Sequence, residues 1–224
     1  MTGAREQMLA AIRAGLGVSA GDKTRTAEVA ARLERHPRGT VPDRAKGDAA
    51  ALTALFAQML KGQAATFEWV AREADIPAAV ARYLRDLNLP ARARIGGDEM
   101  LTSLPWKDAA ALEIASGAAQ PDDQVGITHA LAGAAETGTL FLASGPDNPT
   151  SLNFLPETHI AVIRRGDIVG SYEEAWDRLR ARYGDGKLPR AVNLISGPSR
   201  TADIEQTMVM GAHGPRRLHV IAVG

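Results

Sequence analysis

The stretch that decides the fold is Ala191-Val-Asn-Leu-Ile-Ser-Gly-Pro-Ser-Arg-Thr-Ala-Asp-Ile-Glu205. Its first five residues are mostly apolar and predict a strand, and the residues after them are rich in hydrogen-bond donors. In open α/β sheets ligands bind beyond the carboxyl ends of strands, and a turn of donors before a helix can hold an anion. We therefore predict an anion-binding loop in which Ser199, Arg200 and Thr201 bind the ligand.

A purely structural explanation of this loop remains open. Thr201 can cap a short helix, while Asp203 and Glu205 stabilise the positive end of that helix and pair with Arg200. Those two carboxylates also cancel much of the field that a bare helix terminus offers to an anion. The loop alone therefore does not decide between a binding site and a helix cap.

Similar apolar segments recur from residue 48 onward. Helices are predicted after Asp48, at Asp75 to Pro77 and after Ser171, where Ser171 and Glu174 have the spacing of a capping box. Strands are predicted at 65–70, 92–95, 111–115, 125–128, 138–143, 159–163, 191–195 and 218–223. Nearly all-apolar strands suit a sheet that is covered on both faces. The pattern predicts an α/β fold with a layered, mostly parallel or mixed sheet and helices on both faces, mixed where 138–143 meets 159–163.

The first 47 residues have a different character. Four apolar residues at helical spacing predict a short amphipathic helix that ends near Gly15: Met8, Leu9, Ile12 and Leu16. From Gly21 to Gly47 the chain is polar, rich in arginine and interrupted by prolines, which predicts a long surface connector. We therefore predict an N-terminal helical appendage with a connector at 1–47 and an α/β domain at 48–224.

Composition excludes several functions. The 26 basic and 26 acidic residues balance, so neither nucleic acid nor an anionic membrane is a favoured partner. The absence of cysteine excludes disulfides, a thiol nucleophile and an ordinary iron–sulfur cluster on this chain. No secretory signal and no membrane-length apolar run is present, so we expect a cytoplasmic location.

The familiar nucleotide and hydrolase motifs are missing. There is no Gly-x-Gly-x-x-Gly after a strand, no P-loop, no His-Glu-x-x-His and no Gly-x-Ser-x-Gly. Dinucleotide-binding proteins, P-loop enzymes, zinc proteases of this type and serine hydrolases are therefore poor candidates.

A second polar cluster, Ala135-Glu-Thr-Gly-Thr139, lies at the entry of an apolar strand. Glu136 is a candidate base, nucleophile or polar clamp, with Thr137 and Thr139 as hydrogen-bonding partners. Gly138 allows a ligand or another backbone to come close. The simpler alternative is a strand entry whose glutamate faces solvent.

Three histidines follow or precede predicted strands. His213, in Gly211-Ala-His-Gly-Pro215, is a candidate proton shuttle, although a lone loop histidine is more often incidental. His129 and His159 are comparable. Their local spacing supports no metal site, and none is predicted.

Four segments together resemble the LutC/YkgG family of lactate-utilisation proteins, which carry the LUD domain. They are Ala135-Glu-Thr-Gly-Thr-Leu140, Leu155-Pro-Glu-Thr-His-Ile-Ala-Val162, Gly197-Pro-Ser-Arg-Thr-Ala-Asp-Ile-Glu205 and Gly211-Ala-His-Gly-Pro215. The resemblance covers about the C-terminal 100 residues. It implies a fold like that of the NagB/RpiA/CoA-transferase group.

The resemblance also implies a role in oxidising L-lactate to pyruvate together with iron–sulfur partner subunits. We expect no cofactor on this chain, with the clusters on the partners, because the chain lacks cysteine and a cofactor fingerprint. In this hypothesis Arg200 grips a small carboxylate or other anion, Ser199 and Thr201 assist, and Glu136 or His213 lies near the reacting carbon. The alternatives are a non-catalytic anion-binding or assembly subunit, and a stand-alone enzyme resembling a CoA transferase or a sugar-phosphate isomerase.

Overall fold

The computed structural model describes residues 3–109, 111–184, 186–204 and 207–224, with the backbone alone for 202–204 and 207–209. Its contacts divide the chain into two compact units, Met1–Thr40 and Val41–Gly224. The predicted division into 1–47 and 48–224 remains a prediction of domain organisation.

The first unit is helical. It contains α1 (Gly3–Gly15), as predicted, and α2 (Lys23–Arg35), where a surface connector was predicted. The connector prediction was wrong for these residues because helix propensity and capping form a helix although the segment is mostly polar. Alanine, glutamate, arginine and leucine dominate α2, and the Asp22 side chain accepts hydrogen bonds from the backbone N–H groups of Thr24 and Arg25.

The second unit contains the remaining elements. Its helices are α3 (Ala49–Gly62), α4 (Ile76–Asp86), α5 (Glu99–Thr102), α6 (Ser151–Phe154) and α7 (Tyr172–Tyr183). Its strands are β1 (Thr66–Val70), β2 (Arg92–Ile95), β3 (Glu113–Ser116), β4 (Val125–His129), β5 (Ala132–Ala134), β6 (Thr139–Ala143), β7 (Thr158–Arg164), β8 (Ile168–Val169), β9 (Val192–Ile195), β10 (Arg200–Ile204), β11 (Thr207–Met210) and β12 (Arg217–Val223).

Six strands form a parallel sheet in the order β1-β12-β7-β4-β2-β3. Its central strands are buried on both faces, because alternate residues pack into different apolar clusters. Ile160 of β7 packs with Val80 of α4 on one face. Ala161 of β7 packs with Phe56 of α3 on the other. The predicted layered α/β fold with helices on both faces is thus confirmed.

A second sheet, of order β8-β5-β6-β9, forms a further layer. Leu140 and Leu142 of β6 face the same cluster as α3, whereas Phe141 faces the opposite side, where it packs with Ala175 and Trp176 of α7. The mixed pairing lies within this sheet, since β5 pairs parallel with β8 and antiparallel with β6. The prediction that 138–143 meets 159–163 in one mixed sheet was wrong, because β6 pairs with β5 and β9 instead.

The long helices begin where side chains satisfy their free N–H groups. Asp48 caps α3, Pro77 occupies the first turn of α4, and Ser171 and Glu174 form the predicted capping box of α7. None of the described helices is both long and apolar enough to cross a bilayer.

The region after β9 differs from the prediction. Arg200–Ile204 is a strand that pairs antiparallel with Thr207–Met210, so Thr201 lies opposite Val209 and does not cap a helix. The predicted stabilisation of a helix terminus by Asp203 and Glu205 concerns side chains outside the described residues.

Candidate functional site

Two loops that contain predicted site residues lie against each other in the second unit. The Ser199 N–H donates to the Pro215 carbonyl over 2.8 Å, and the Gly211 N–H donates to the Ser199 carbonyl over 2.9 Å. A Cβ atom added to Gly214 would lie 3.4 Å from the Ser199 Cβ. The loop after β9 and the loop before β12 therefore form one structural element.

These loops enclose a cavity of about 300 Å³, which we call the motif pocket. Ser199, Arg200 and His213, three of the predicted site residues, line it together. Its other polar side chains belong to Asn153, His159 and Ser196, and apolar residues such as Phe154 and Leu194 complete the wall. The volume lies at the lower end of the range for small-molecule sites, roughly 300–1,000 Å³, and suits a small ligand.

Two buried side chains in the motif pocket have unsatisfied hydrogen-bonding atoms. Asn153 and His159 are 0% and 1% exposed. Both amide atoms of Asn153 and the Nδ1 of His159 have no partner among the described residues. Buried polar atoms are normally paired, so these atoms indicate a place where a ligand or water completes the bonding.

His159 is held in its neutral form. Burial lowers the pKa of His159 to about 4, and its Nε2 lies 2.7 Å from the Thr128 hydroxyl. If Thr128 donates to Nε2, the imidazole proton resides on Nδ1 and is available to donate to a bound acceptor.

The charge of the motif pocket favours an anion. Arg200 contributes a full positive charge, and no aspartate or glutamate is present among the described residues that line the pocket. The Arg200 guanidinium is exposed and donates to Gln63 Oε1 at the end of α3. This contact uses only part of the guanidinium, which has five N–H donors in all.

Glu136 lies outside the motif pocket. It is 8% exposed, and its Oε1 accepts a hydrogen bond of 2.7 Å from the Tyr172 backbone N–H at the first turn of α7. The simpler expectation of a glutamate facing solvent was therefore wrong, because the carboxylate binds a free N–H at a helix terminus. Its proposed catalytic role stays a prediction.

Thr139, three residues after Glu136, is connected to the motif pocket by hydrogen bonds. Its buried hydroxyl lies 2.7 Å from each of three other hydroxyls, those of Thr137, Tyr172 and Ser196. A hydroxyl group donates one hydrogen bond and accepts two, so three partners satisfy the Thr139 hydroxyl completely. Because Ser196 lines the pocket, Thr139 positions part of the pocket wall.

We expect Thr139→Val to lower the free energy of unfolding by about 2 kcal/mol, because three partner hydroxyls lose their common neighbour. Thr137→Val is the matched control, since Thr137 is more exposed and makes the single hydroxyl contact with Thr139 described above. Urea unfolding of both variants measures the difference. Equal small losses would mean that Thr139 is not the centre of the network.

The remaining predicted residues are placed apart from the pocket. Thr201 lies in β10 and is not among the residues that line the motif pocket. Gly138 has φ of +68° and packs against the backbone of Met59 and Leu60 in α3, so the close approach is made by protein rather than by a ligand. Among the described residues, no group of three or more metal-ligating side chains is close enough to hold an ion.

Sequence reasoning missed Asn153 and Ser196, and it treated His159 as one of several comparable histidines. Ser196 was in the quoted stretch but was not among the predicted site residues. Asn153 lies in the one-turn helix α6, which carries no periodic signal. His159 belongs to the recognised segment Leu155-Pro-Glu-Thr-His-Ile-Ala-Val162, and that segment was the available clue.

Comparison with known proteins identifies the relatives of this chain. The LUD domain family model matches residues 53–223. Two curated relatives named lactate utilization protein C match part of the chain. The protein from Shouchella clausii is 40% identical over 99 residues, which are 44% of this chain and 43% of the relative. The protein from Halalkalibacterium halodurans is 37% identical over 119 residues, which are 53% of this chain and 51% of the relative. The matches thus span about half of these relatives.

A solved structure supports the fold. A crystal structure of a DUF162 family protein from Deinococcus radiodurans superposes with a TM-score of 0.59 at 22% identity, covering 80% of this chain and 100% of the other. At this identity the likeness concerns the fold alone.

Proposed function

Because this chain belongs to the LUD domain family, we propose that it is a component of a lactate-utilisation system and that it binds a small carboxylate in the motif pocket. The observation that carries the proposal is a small cavity in which buried atoms of Asn153 and His159 lack hydrogen-bonding partners and which is lined by the positively charged Arg200. The names of the curated relatives support the assignment to lactate utilisation.

The binding mode follows from the donors. Arg200 offers a guanidinium suited to a planar carboxylate, and the Asn153 amide can donate to it or to a neighbouring oxygen. His159 supplies a further donor when Thr128 donates to its Nε2, because the ring proton then lies on Nδ1. Ser196 and Ser199 can accept from the hydroxyl group of L-lactate, since hydroxyl oxygens are acceptors as well as donors.

The two predicted catalytic residues receive different roles. His213 lines the motif pocket and is the candidate to exchange a proton with the ligand. Glu136 is proposed as a positioning residue, because its carboxylate is buried and bound to the start of α7. A buried, bound carboxylate also offers little support for a CoA-transferase mechanism with Glu136 as the acyl acceptor.

The redox step requires partners. Oxidation of L-lactate to pyruvate releases two electrons, and this chain has no cysteine to ligate an iron–sulfur cluster. We propose that iron–sulfur subunits receive the electrons. Purification of the tagged protein from its host grown on L-lactate, followed by assays for iron, labile sulfide and lactate-dependent dye reduction, tests this. A protein that never co-purifies with iron or activity, even after gentle cross-linking, would contradict it.

A non-catalytic anion-binding or assembly subunit is the second candidate. It is favoured by the exposure of two apolar residues in the pocket wall, Phe154 and Leu194, at 43% and 44%. The two candidates differ in the reconstituted complex, since His213→Ala should abolish dye reduction in a catalytic subunit and leave it intact in an assembly subunit.

Ligand binding gives the direct test of the motif pocket. We expect Arg200→Gln to weaken L-lactate or pyruvate binding by about 10- to 100-fold, the loss of one charge-assisted interaction, and Arg200→Lys to weaken it less. Titration followed by NMR of the protein measures both affinities. Arg190→Gln is the matched control, because Arg190 is exposed and outside the pocket. Unchanged affinity in Arg200→Gln would remove Arg200 from the site.

A further inference from the structure

A second cleft lies at the opposite end of the six-stranded sheet. Strands β2 and β4 are neighbours in this sheet. The next strand of the sheet after β2 is β3, which lies on one side of the pair, and the next after β4 is β7, which lies on the other side. Such a reversal opens a crevice beyond the carboxyl ends of the two strands, which is where open α/β sheets bind ligands. The cavity at this crevice has a volume of about 680 Å³. It has no part in the function proposed above.

An aspartate and a histidine meet at the crevice. Asp98 follows β2 and His129 ends β4, and the His129 Nδ1 lies 3.0 Å from the Asp98 Oδ1. Burial alone would raise the pKa of the Asp98 carboxyl, but hydrogen bonds from His129 and from the backbone N–H groups of Met100 and Leu101 hold the pKa below its usual value. When the His129 imidazole is neutral and its Nδ1–H donates to Asp98, the His129 Nε2 is a hydrogen-bond acceptor.

The cleft presents buried acceptors that lack partners. The His129 Nε2 is buried and unpaired among the described residues, and the His129 side chain is 13% exposed. Asn148, 8% exposed, donates from Nδ2 to the Ala143 carbonyl over 3.1 Å, which directs its unpaired Oδ1 away from that bond. Both residues line the cleft. Two buried acceptors are satisfied by a molecule that donates hydrogen bonds, either a ligand or water.

The charged side chains that line the cleft are mainly acidic, with five carboxylates (Glu73, Asp98, Glu99, Asp147 and Asp167) and two arginines (Arg164 and Arg182). Arg164 pairs with Glu73 over 2.9 Å, and Asp167 pairs with Arg178 over 2.7 Å. Glu99 lies at its exposed edge. This excess of carboxylates over guanidinium groups disfavours a carboxylate ligand in the cleft. An uncharged molecule with several hydroxyl groups supplies donors to these acceptors and brings no further negative charge into the cleft.

We propose that this cleft is a second ligand site, which binds an uncharged polyol through hydrogen bonds from its hydroxyl groups to His129 Nε2 and Asn148 Oδ1. Asp98 acts as a positioning residue that fixes the orientation and tautomer of His129. The volume accommodates a ring-sized polyol together with bound water.

Carbethoxylation of histidines, read by peptide mass spectrometry, tests the proposal on the unaltered protein. We expect millimolar myo-inositol to slow modification of His129 by about fivefold, which corresponds to about 80% occupancy of the site, without protecting His213. L-Lactate should protect His213 and leave His129 reactive. The two histidines thus report the two sites separately, and failure of one proposal is distinguishable from failure of the other.

Saturation-transfer NMR with myo-inositol gives an independent measurement. The signal should disappear in His129→Phe, which keeps a ring but removes the acceptor, and should persist in Arg200→Gln. Asn148→Ser serves as a second variant if His129→Phe does not fold, and it should weaken the signal. Reactivity of His129 that is unchanged by myo-inositol, or reduced by L-lactate instead, would overturn the proposal.

Discussion

Gly138→Ala is expected to lower the free energy of unfolding of the second unit by about 3 to 4 kcal/mol, the sum of two separate costs. The first is conformational, because φ at Gly138 is +68°, a region that residues with a Cβ rarely adopt. The second is steric, because the added Cβ would lie 2.7 Å from the Leu60 backbone nitrogen and 3.0 Å from the Met59 carbonyl carbon. A helix backbone cannot move aside as a flexible side chain can.

Gly186→Ala separates the two costs. Gly186 has a similar φ of +71°, but an added Cβ would meet no atom within 4 Å. We therefore expect it to lose only the conformational part, about 1 kcal/mol. Urea unfolding can be followed by tryptophan fluorescence, since Trp69, Trp106 and Trp176 all lie in the second unit. Equal losses in the two variants would show that α3 does not press on the Gly138 turn.

The strongest sequence signals were those tied to burial and capping. The apolar segments at β4, β7 and β12 are central strands, and Ser171 with Glu174 caps α7 as predicted. Each signal is local and depends on a regular period or on one capping interaction, so the sequence contains it without reference to the rest of the fold.

The elements that sequence reasoning missed depend on tertiary contacts. Strands β5 and β8 have three and two residues, too few to show a period. They exist because they pair with each other, and β5 pairs with β6 as well. Helix α2 was missed for a different reason, since its sequence is mostly polar and its large apolar side chains, Val29 and Leu33, are exposed.

The candidate sites follow the same division. Ser199, Arg200 and His213 could be chosen by chemistry, and hydrogen bonds between the two loops bring them together. Asp98 and His129 could not be paired from the sequence. They are 31 residues apart, and their proximity depends on β2 and β4 being neighbours although β3 lies between them in the chain.

Acidification is expected to destabilise the second unit through two buried histidines. Burial lowers the pKa of His159 to about 4, and burial together with the charge of Arg82 lowers the pKa of His219 to about 4. In the unfolded chain each imidazole has a pKa of about 6.5 and takes up a proton below that pH. In the folded protein both imidazoles stay neutral until the pH falls to about 4. Stability is therefore complete above pH 6.5 and is lost as the pH falls towards 4.

The expected size is about 2 kcal/mol for each histidine between pH 7 and pH 5, or about 4 kcal/mol together, in the free energy of unfolding. His219 stacks on Tyr83 with ring centroids 3.9 Å apart, its Nδ1 lies 2.8 Å from the Thr66 hydroxyl, and its Nε2 lies 3.8 Å from Glu68. The Glu68 carboxylate favours the protonated ring and moderates the loss from His219.

His219→Phe isolates one contribution, because phenylalanine keeps the stacked ring on Tyr83 and cannot titrate. The variant should be less stable at pH 7, since Thr66 loses a partner, but its loss between pH 7 and pH 5 should be about half that of the unaltered protein. His213→Ala is the control, because His213 is exposed on the surface. Urea unfolding at both pH values measures the differences. An undiminished pH dependence in His219→Phe would mean that protonation of other groups destabilises the fold.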